Sequence, residues 1–112
     1  MKQILITIFL SIIYIFLPAQ NPCDGRYEDE IFSSVDIVTV NYSDVYSDNE
    51  HKMDIYTPYG DAVTNRPVII YMHGGSFYLG DKGMVDCVDF CTSFAKRGYV
   101  AISLNYRLAN MI

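Results

Sequence analysis

The sequence predicts an α/β fold, in which a pair of antiparallel strands precedes a β-α-β unit within one mixed sheet. Residues 68–72 are continuously apolar and have the pattern of a strand covered on both faces, and residues 99–104, apolar apart from Ser103, indicate a second buried strand. An amphipathic stretch lies between them and ends in Lys96-Arg97-Gly98, where basic residues followed by glycine are typical of a helix end. Strand, helix and strand in this order predict two parallel strands joined by a crossover helix.

The antiparallel pair is predicted from two stretches in which apolar and polar residues alternate. Residues 35–46 are rich in β-branched and aromatic side chains at alternate positions. Residues 51–56 alternate again and place Met53 and Ile55 on one face. The polar turn 47–50 between them is short, as expected for neighbouring antiparallel strands.

The first 19 residues predict a secretory signal peptide. Lys2 supplies a positive charge, residues 4–17 are almost entirely apolar, and Pro18-Ala19-Gln20 offers a cleavage point after Ala19. The apolar run is shorter than the about 20 residues of a membrane span, although an uncleaved N-terminal anchor is the alternative. We therefore expect export (secreted or periplasmic), with no stable membrane association after cleavage.

The charge of the chain argues against nucleic-acid partners. Loss of residues 1–19 removes Lys2 and no acid, which changes the formal net charge from −5 to −6. No basic stripe is present to neutralise phosphates, so we expect no nucleic-acid binding. Neither His51 nor His73 has the spacing of a zinc pattern, and we expect no metal and no cofactor.

The cysteines allow two interpretations. Cys23, Cys87 and Cys91 are an odd number, so at least one thiol is unpaired within the chain. Cys87 and Cys91 are four residues apart on the predicted helix, where their Cα atoms would lie about 6 Å apart and within disulfide reach. Export makes such a bridge possible, and two buried thiols are the alternative.

The loop after residues 68–72 carries four glycines, at positions 74, 75, 80 and 83. Their spacing does not fit the G-x-G-x-x-G of dinucleotide-binding folds, and Asp81-Lys82-Gly83 places an acid where a P-loop would hold phosphate. An oxyanion hole is the third possibility. Consecutive glycines at the carboxyl end of a buried strand leave backbone N–H groups free to bind a negatively charged oxygen.

Three segments together resemble the N-terminal part of α/β-hydrolase carboxylesterases and lipases. They are Met53-Asp54-Ile55-Tyr56-Thr57-Pro58, then Pro67-Val68-Ile69-Ile70-Tyr71-Met72-His73-Gly74-Gly75-Ser76-Phe77, and then Asn105-Tyr106-Arg107-Leu108. Their order and spacing agree with that family. The resemblance implies a serine carboxylic-ester hydrolase that acts on a small-molecule ester. It also implies that residues 35–112 are the N-terminal part of an α/β-hydrolase domain, preceded by a polar arm at 20–34.

The resemblance also assigns roles within the glycine loop. In that family the loop after the third strand lends backbone amides to the tetrahedral intermediate. Gly75 and Ser76 stand where those amides are expected, and Gly74 stands where the chain must turn. Ser76 replaces a third glycine found in many relatives and leaves its amide in place. His73 is expected to hold the loop by hydrogen bonds rather than to act as a base, and His51 is expected to face solvent.

No nucleophile accompanies these residues. No serine lies in a Gly-x-Ser-x-Gly motif and no histidine follows His73, so the sequence predicts that the catalytic triad is absent. We expect residues 1–112 alone to be a truncated fragment with negligible esterase activity and an exposed edge at strand 68–72. A non-catalytic binding module on the same scaffold is the alternative function, and a peptidase is a third. A Gly-x-Ser-x-Gly further along the reading frame would favour the hydrolase.

Overall fold

The computed structural model describes residues 25–109. The predicted signal peptide, Cys23 and the first part of the predicted arm therefore lie outside the described residues. These residues form strands β1 (Val35–Asn41), β2 (Lys52–Pro58), β3 (Val68–Met72) and β4 (Val100–Leu104), the helix α1 (Val85–Lys96) and a 3₁₀ turn at Asn49–His51. Within the same residues, no helix has the length and apolarity needed to cross a membrane.

The four strands form one mixed sheet in the order β1-β2-β4-β3. β1 and β2 are antiparallel, with Val35 opposite Pro58, and β2 also pairs antiparallel with β4, with Met53 opposite Leu104. β3 runs parallel to β4, with Val68 opposite Val100. The predicted antiparallel pair and β-α-β unit are thereby confirmed.

The first strand is shorter than the alternation in the sequence predicts. β1 ends at Asn41, whose side-chain Nδ2 donates to the carbonyl of Tyr46 at 2.7 Å. The Oγ of Ser43 accepts from the amides of Val45 and Tyr46 at 3.2 and 3.0 Å. These local bonds satisfy the backbone in a turn conformation and compete with strand pairing. The extension of β1 to residue 46 was therefore wrong.

The helix α1 ends where the sequence predicts. The amide of Gly98 donates to the carbonyl of Ala95 at 2.9 Å, and the amide of Tyr99 donates to the carbonyl of Phe94 at 3.2 Å. This pair of bonds is a Schellman motif, which needs a left-handed residue after the helix, and Gly98 has a φ of 102°. The rings of Phe94 and Tyr99 meet edge to face at 5.5 Å and complete the motif.

The core lies between α1 and one face of the sheet. Its fully buried residues are Tyr56, Cys91, Ala95 and Ala101. Cys91 and Cys87, one turn earlier on the same face, are both free thiols with no exposed surface. Burial raises the pKa of Cys91 to about 11. Because both cysteines are free, the structure favours the alternative of two buried thiols.

The opposite face of the sheet is exposed. The residues Val68, Ile70 and Met72 are 57%, 60% and 65% exposed to solvent. Within residues 25–109, the prediction that β3 is covered on both faces was therefore wrong. Side chains alternate between the faces of a strand, and α1 packs against one face alone. β3 is also an edge strand of the described sheet, as expected.

The chain before β1 is docked by hydrogen bonds and an ion pair. The amides of Tyr27 and Phe32 donate to the carbonyls of Arg97 and Lys96 at 2.7 and 3.0 Å. Arg26 forms two hydrogen bonds, of 2.8 and 2.9 Å, to the carboxylate of Asp61. This segment is therefore anchored at the end of α1 and at the loop after β2.

Candidate functional site

The glycine-rich loop leaves β3 at His73 and reaches Gly83 before α1 begins. Its backbone turns through a run of residues with positive φ: Gly75 at 122°, Ser76 at 54° and Phe77 at 67°. The left-handed region costs a residue with a side chain about 1–2 kcal/mol. Such conformations persist where the surrounding structure holds them, and they are concentrated at functional sites. Ser76 and Phe77 mark this loop as a candidate site on backbone conformation alone.

Gly75 is the residue that the turn requires. Its carbonyl accepts hydrogen bonds from the amides of Tyr78 and Leu79 at 3.0 and 3.1 Å, and a Cβ at Gly75 would overlap the carbonyl of Leu79. Gly74, which was expected to permit the turn, has no positive φ and no atom within 4 Å of where its Cβ would lie. The need for glycine therefore falls one residue later than the resemblance implies.

The amides of Gly75 and Ser76 donate to no acceptor within residues 25–109. A cavity of about 320 Å³ is lined by Met72, His73, Gly74, Ser76, Phe77 and Tyr106. Free backbone donors next to a cavity can bind an anionic oxygen. Of the two predicted donors, Ser76 lines the cavity and Gly75, the preceding residue, does not.

His73 supports the loop through a hydrogen bond and a ring contact. It is buried, and its Nδ1 lies 2.7 Å from the carbonyl oxygen of Gly74. A carbonyl can only accept, so Nδ1 carries the proton and donates. The imidazole ring stacks on Tyr106 with 4.4 Å between centroids and 14° between planes. These contacts agree with the expected holding role of His73.

Asn105 and Tyr106 follow β4 and bond to both ends of the loop. The hydroxyl of Tyr106 donates to the carbonyl of His73 at 2.8 Å. Asn105 is buried, and its Oδ1 accepts from the amide of Lys82 at 2.6 Å while its Nδ2 donates to Asp81 at 3.0 Å. The two residues that follow β4 therefore bond directly to the glycine loop.

A buried acid lies behind the loop. Asp54 is 7% exposed, accepts from the hydroxyl of Thr39 at 2.6 Å and pairs with the ammonium group of Lys82 at 2.7 Å. Sequence reasoning missed this role. The signal was present in the alternation of β2, which places Asp54 on the same face as Tyr56, the face that α1 covers.

His51 does not face solvent as expected. Its side chain is 13% exposed, its Nδ1 lies 2.6 Å from the carboxylate of Asp48, and its ring stacks on Tyr46 at 4.9 Å. The 3₁₀ turn directs the imidazole inward against Tyr46, a neighbour that residue spacing does not reveal. The expectation of a solvent-facing His51 was wrong.

Among residues 25–109, no three His, Cys, Asp or Glu side chains are grouped to hold a metal ion. Within these residues the candidate site consists of backbone amides, a cavity and the polar contacts that support the loop.

Solved structures of an esterase share this fold. The fold is similar to esterase B from Lactobacillus rhamnosis, with a TM-score of 0.61 and 24% identity over 73% of this chain and 25% of that one. A C6-C4 SN3 inhibited form of the same esterase gives 0.60 and 23%, with 26% of that chain covered. A tributyrin phosphonate inhibited form gives 0.61 and 24%, with the same share covered. These likenesses show the fold.

A curated relative and a family model each match about half of the sequence. The cAMP-regulated D2 protein of Dictyostelium discoideum is 41% identical over 58 residues, which are 50% of this chain and 10% of that protein. The chain thus spans a tenth of the curated relative and about a quarter of the solved esterases. The BD-FAE family model matches residues 53–112, which include β2 from its second residue, the glycine loop and β4. The chain belongs to the BD-FAE family of esterase-like α/β-hydrolases.

Proposed function

We propose that this chain carries the oxyanion hole of an exported serine carboxylic-ester hydrolase. The backbone amides of Gly75 and Ser76 bind the carbonyl oxygen of the ester as it becomes negatively charged. The observation that supports the proposal most directly is that both amides lack an acceptor within residues 25–109 and that Ser76, next to Gly75 in the chain, lines the cavity. Export rests on the predicted signal peptide at residues 1–19.

The chemistry of the hole follows from charge development. When a nucleophile attacks an ester carbonyl, the π electrons move to the oxygen, and fixed N–H donors stabilise the resulting alkoxide. One such donor contributes about 3–4 kcal/mol to the transition state. Ser76 and Phe77 keep their positive φ only because surrounding contacts hold them. The donors are thereby fixed before substrate arrives, which is the condition for this effect.

The remaining catalytic groups are proposed to lie outside these 112 residues. No serine of these 112 residues lies in a Gly-x-Ser-x-Gly motif. The side chain of His73 already donates to the carbonyl of Gly74 and stacks on Tyr106. The chain alone should therefore show no saturable turnover of 4-nitrophenyl acetate. Turnover that survives replacement of every serine would contradict the serine mechanism.

The cavity supports an ester with an apolar group next to the carbonyl. Met72, Phe77 and Tyr106 are among the residues that line it, and they provide apolar side chains. The related esterase B is described with a tributyrin phosphonate inhibitor, and a phosphonate has the tetrahedral anionic oxygens that the hole is proposed to bind. We therefore propose a small-molecule carboxylic ester as the substrate.

The test is an NMR titration of the ¹⁵N-labelled chain with the methyl ester of butylphosphonate, a tetrahedral anion. We expect the amide signals of Gly75 and Ser76 to shift together and to saturate, while sulfate at equal ionic strength shifts neither. Ser76→Ala keeps the amide and should respond like the native chain. Unmoved Gly75 and Ser76 signals, or loss of the response in Ser76→Ala, would refute a backbone hole.

A further inference from the structure

We infer that Asn105 and Tyr106 are positioning residues that hold the glycine loop at its two ends and thereby fix the Gly75 and Ser76 amides. The inference rests on the proposed function, in which those two amides bind the oxyanion. Neither Asn105 nor Tyr106 is assigned a contact with the reacting atoms.

Tyr106 holds the end of the loop that leaves β3. Its hydroxyl donates to the carbonyl of His73 at 2.8 Å, and its ring stacks on the His73 imidazole. His73 in turn donates to the carbonyl of Gly74 at 2.7 Å. The ring of Phe77 meets Tyr106 edge to face at 6.3 Å. Tyr106 therefore contacts the chain on both sides of Gly75 and Ser76.

Asn105 holds the end of the loop that approaches α1. Its side-chain amide both accepts and donates a hydrogen bond there: Oδ1 accepts from the backbone amide of Lys82, and Nδ2 donates to the carboxylate of Asp81. Asp81 then accepts from the amide of Gly83 at 2.8 Å with its other oxygen. Loop residues 81–83 are thus tied to one side chain.

Asn105 is itself fixed by the sheet and its turns. It is 5% exposed, its amide donates to the carbonyl of Lys52 at 2.9 Å, and its own carbonyl accepts from the hydroxyl of Tyr42 at 2.8 Å. Nδ2 also donates to the carbonyl of Asn49 at 2.9 Å. A side chain with every polar group bonded provides a rigid reference for the loop.

The strain between the two ends explains why such a clamp is needed. Ser76 and Phe77 occupy the left-handed region, which side-chain-bearing residues leave unless surrounding contacts prevent it. Within the loop itself, the turn is closed by the Tyr78 and Leu79 amides on Gly75. Asn105 and Tyr106, which follow β4, supply further contacts that restrain the loop from outside.

The test is amide hydrogen exchange on the full chain, read residue by residue. In Tyr106→Phe, which keeps the ring and removes the hydroxyl, the amides of Tyr78 and Leu79 should exchange about tenfold faster, as for one lost hydrogen bond. The amide of Ile102 in β4 reports on folding and should be unchanged. Tyr71→Phe removes a hydroxyl bond to Asp86 in the first turn of α1 and is the matched control.

Asn105→Asp tests the other end. It places a carboxylate beside Asp81, so the amides of Lys82 and Gly83 should exchange about tenfold faster while those of Tyr78 and Leu79 change less. An unchanged loop in both variants, or a uniform increase that includes Ile102, would overturn the clamp.

A second readout separates positioning from simple structural support. Tyr106→Phe should weaken butylphosphonate methyl ester binding about tenfold, whereas Tyr71→Phe, which also loses one hydroxyl bond, should bind like the native chain. Because exchange needs no ligand, failure of phosphonate binding in the native chain refutes the proposed hole and leaves the clamp measurable. Native-like binding in a variant with a loosened loop would overturn the positioning role.

Discussion

The ammonium group of Lys82 lies 2.7 Å from the carboxylate of Asp54, and the two side chains are 15% and 10% exposed. This pair joins the last part of the glycine loop to β2, across the sheet from the exposed face. Thr39 on β1 donates to the same carboxylate at 2.6 Å. The loop that carries the candidate site is thus bonded to the antiparallel half of the sheet.

Replacement of Asp54 by Ala should destabilise the fold by about 3 kcal/mol, because it leaves the Lys82 ammonium group largely buried without its partner. Urea unfolding measures the change. The matched control is Glu30→Gln, since the Glu30–Lys96 pair is 3.8 Å apart and well exposed and should contribute less than about 1 kcal/mol. Equal losses in the two variants would contradict the buried role of Asp54.

Gly75→Ala and Gly74→Ala should differ sharply although the residues are neighbours. At Gly75 an added Cβ meets the Leu79 carbonyl at a positive φ, whereas Gly74 has open space. We expect a loss of more than about 2 kcal/mol for Gly75→Ala and less than about 0.5 kcal/mol for Gly74→Ala. Thermal unfolding of both variants measures the two losses. Similar unfolding midpoints would contradict the requirement for glycine at position 75.

Ser76→Gly should stabilise the chain. Glycine removes the penalty of about 1–2 kcal/mol at the positive φ of Ser76 and adds a smaller entropic cost, so a net gain of about 0.5–1 kcal/mol is expected. Ser93→Gly, in the middle of α1, should destabilise by a similar amount. A loss of stability in Ser76→Gly would mean that the serine side chain, and not backbone strain, governs this position.

The Asp61 carboxylate should make stability depend on acid pH. The hydrogen bonds from Arg26 hold the pKa of Asp61 well below its usual value, and those from Arg66 add to the effect. Because the folded pKa is lower than the unfolded one of about 3.9, the stabilisation is complete above about pH 5 and is lost as the pH falls.

The measurement is the free energy of unfolding between pH 5 and pH 2. Asp61→Asn should flatten its decline with falling pH, and Asp44→Asn, at an exposed position, should leave the decline as it is. A slope that persists in Asp61→Asn would assign acid sensitivity to other carboxylates.

Several parts of the structure follow from local sequence. The end of α1 follows from Lys96-Arg97-Gly98, since the motif at a helix end is made by neighbouring residues. The antiparallel partners β1 and β2 and the parallel unit β3-α1-β4 follow from the two kinds of apolar pattern. The pairing of β2 with β4, which completes the sheet order, joins segments distant in the chain and was not predicted.

Other parts depend on partners distant in the chain. Asp61 lies in a loop that reads as polar surface, and its burial comes from Arg26, which is 35 residues earlier. His51 is enclosed by Tyr46 through a turn whose shape is set by side-chain bonds to the backbone. For the site itself, the glycines and His73 indicate the loop, whereas its support by Asn105 and Lys82 needs the folded sheet.

A crystal structure of the chain with the methyl ester of butylphosphonate tests the oxyanion hole most directly. We predict one phosphonate oxygen within about 2.7–3.1 Å of the backbone nitrogens of both Gly75 and Ser76, the range of a working oxyanion hole. A phosphonate bound elsewhere, with those two nitrogens donating to carbonyls of the chain itself, would contradict the proposed function.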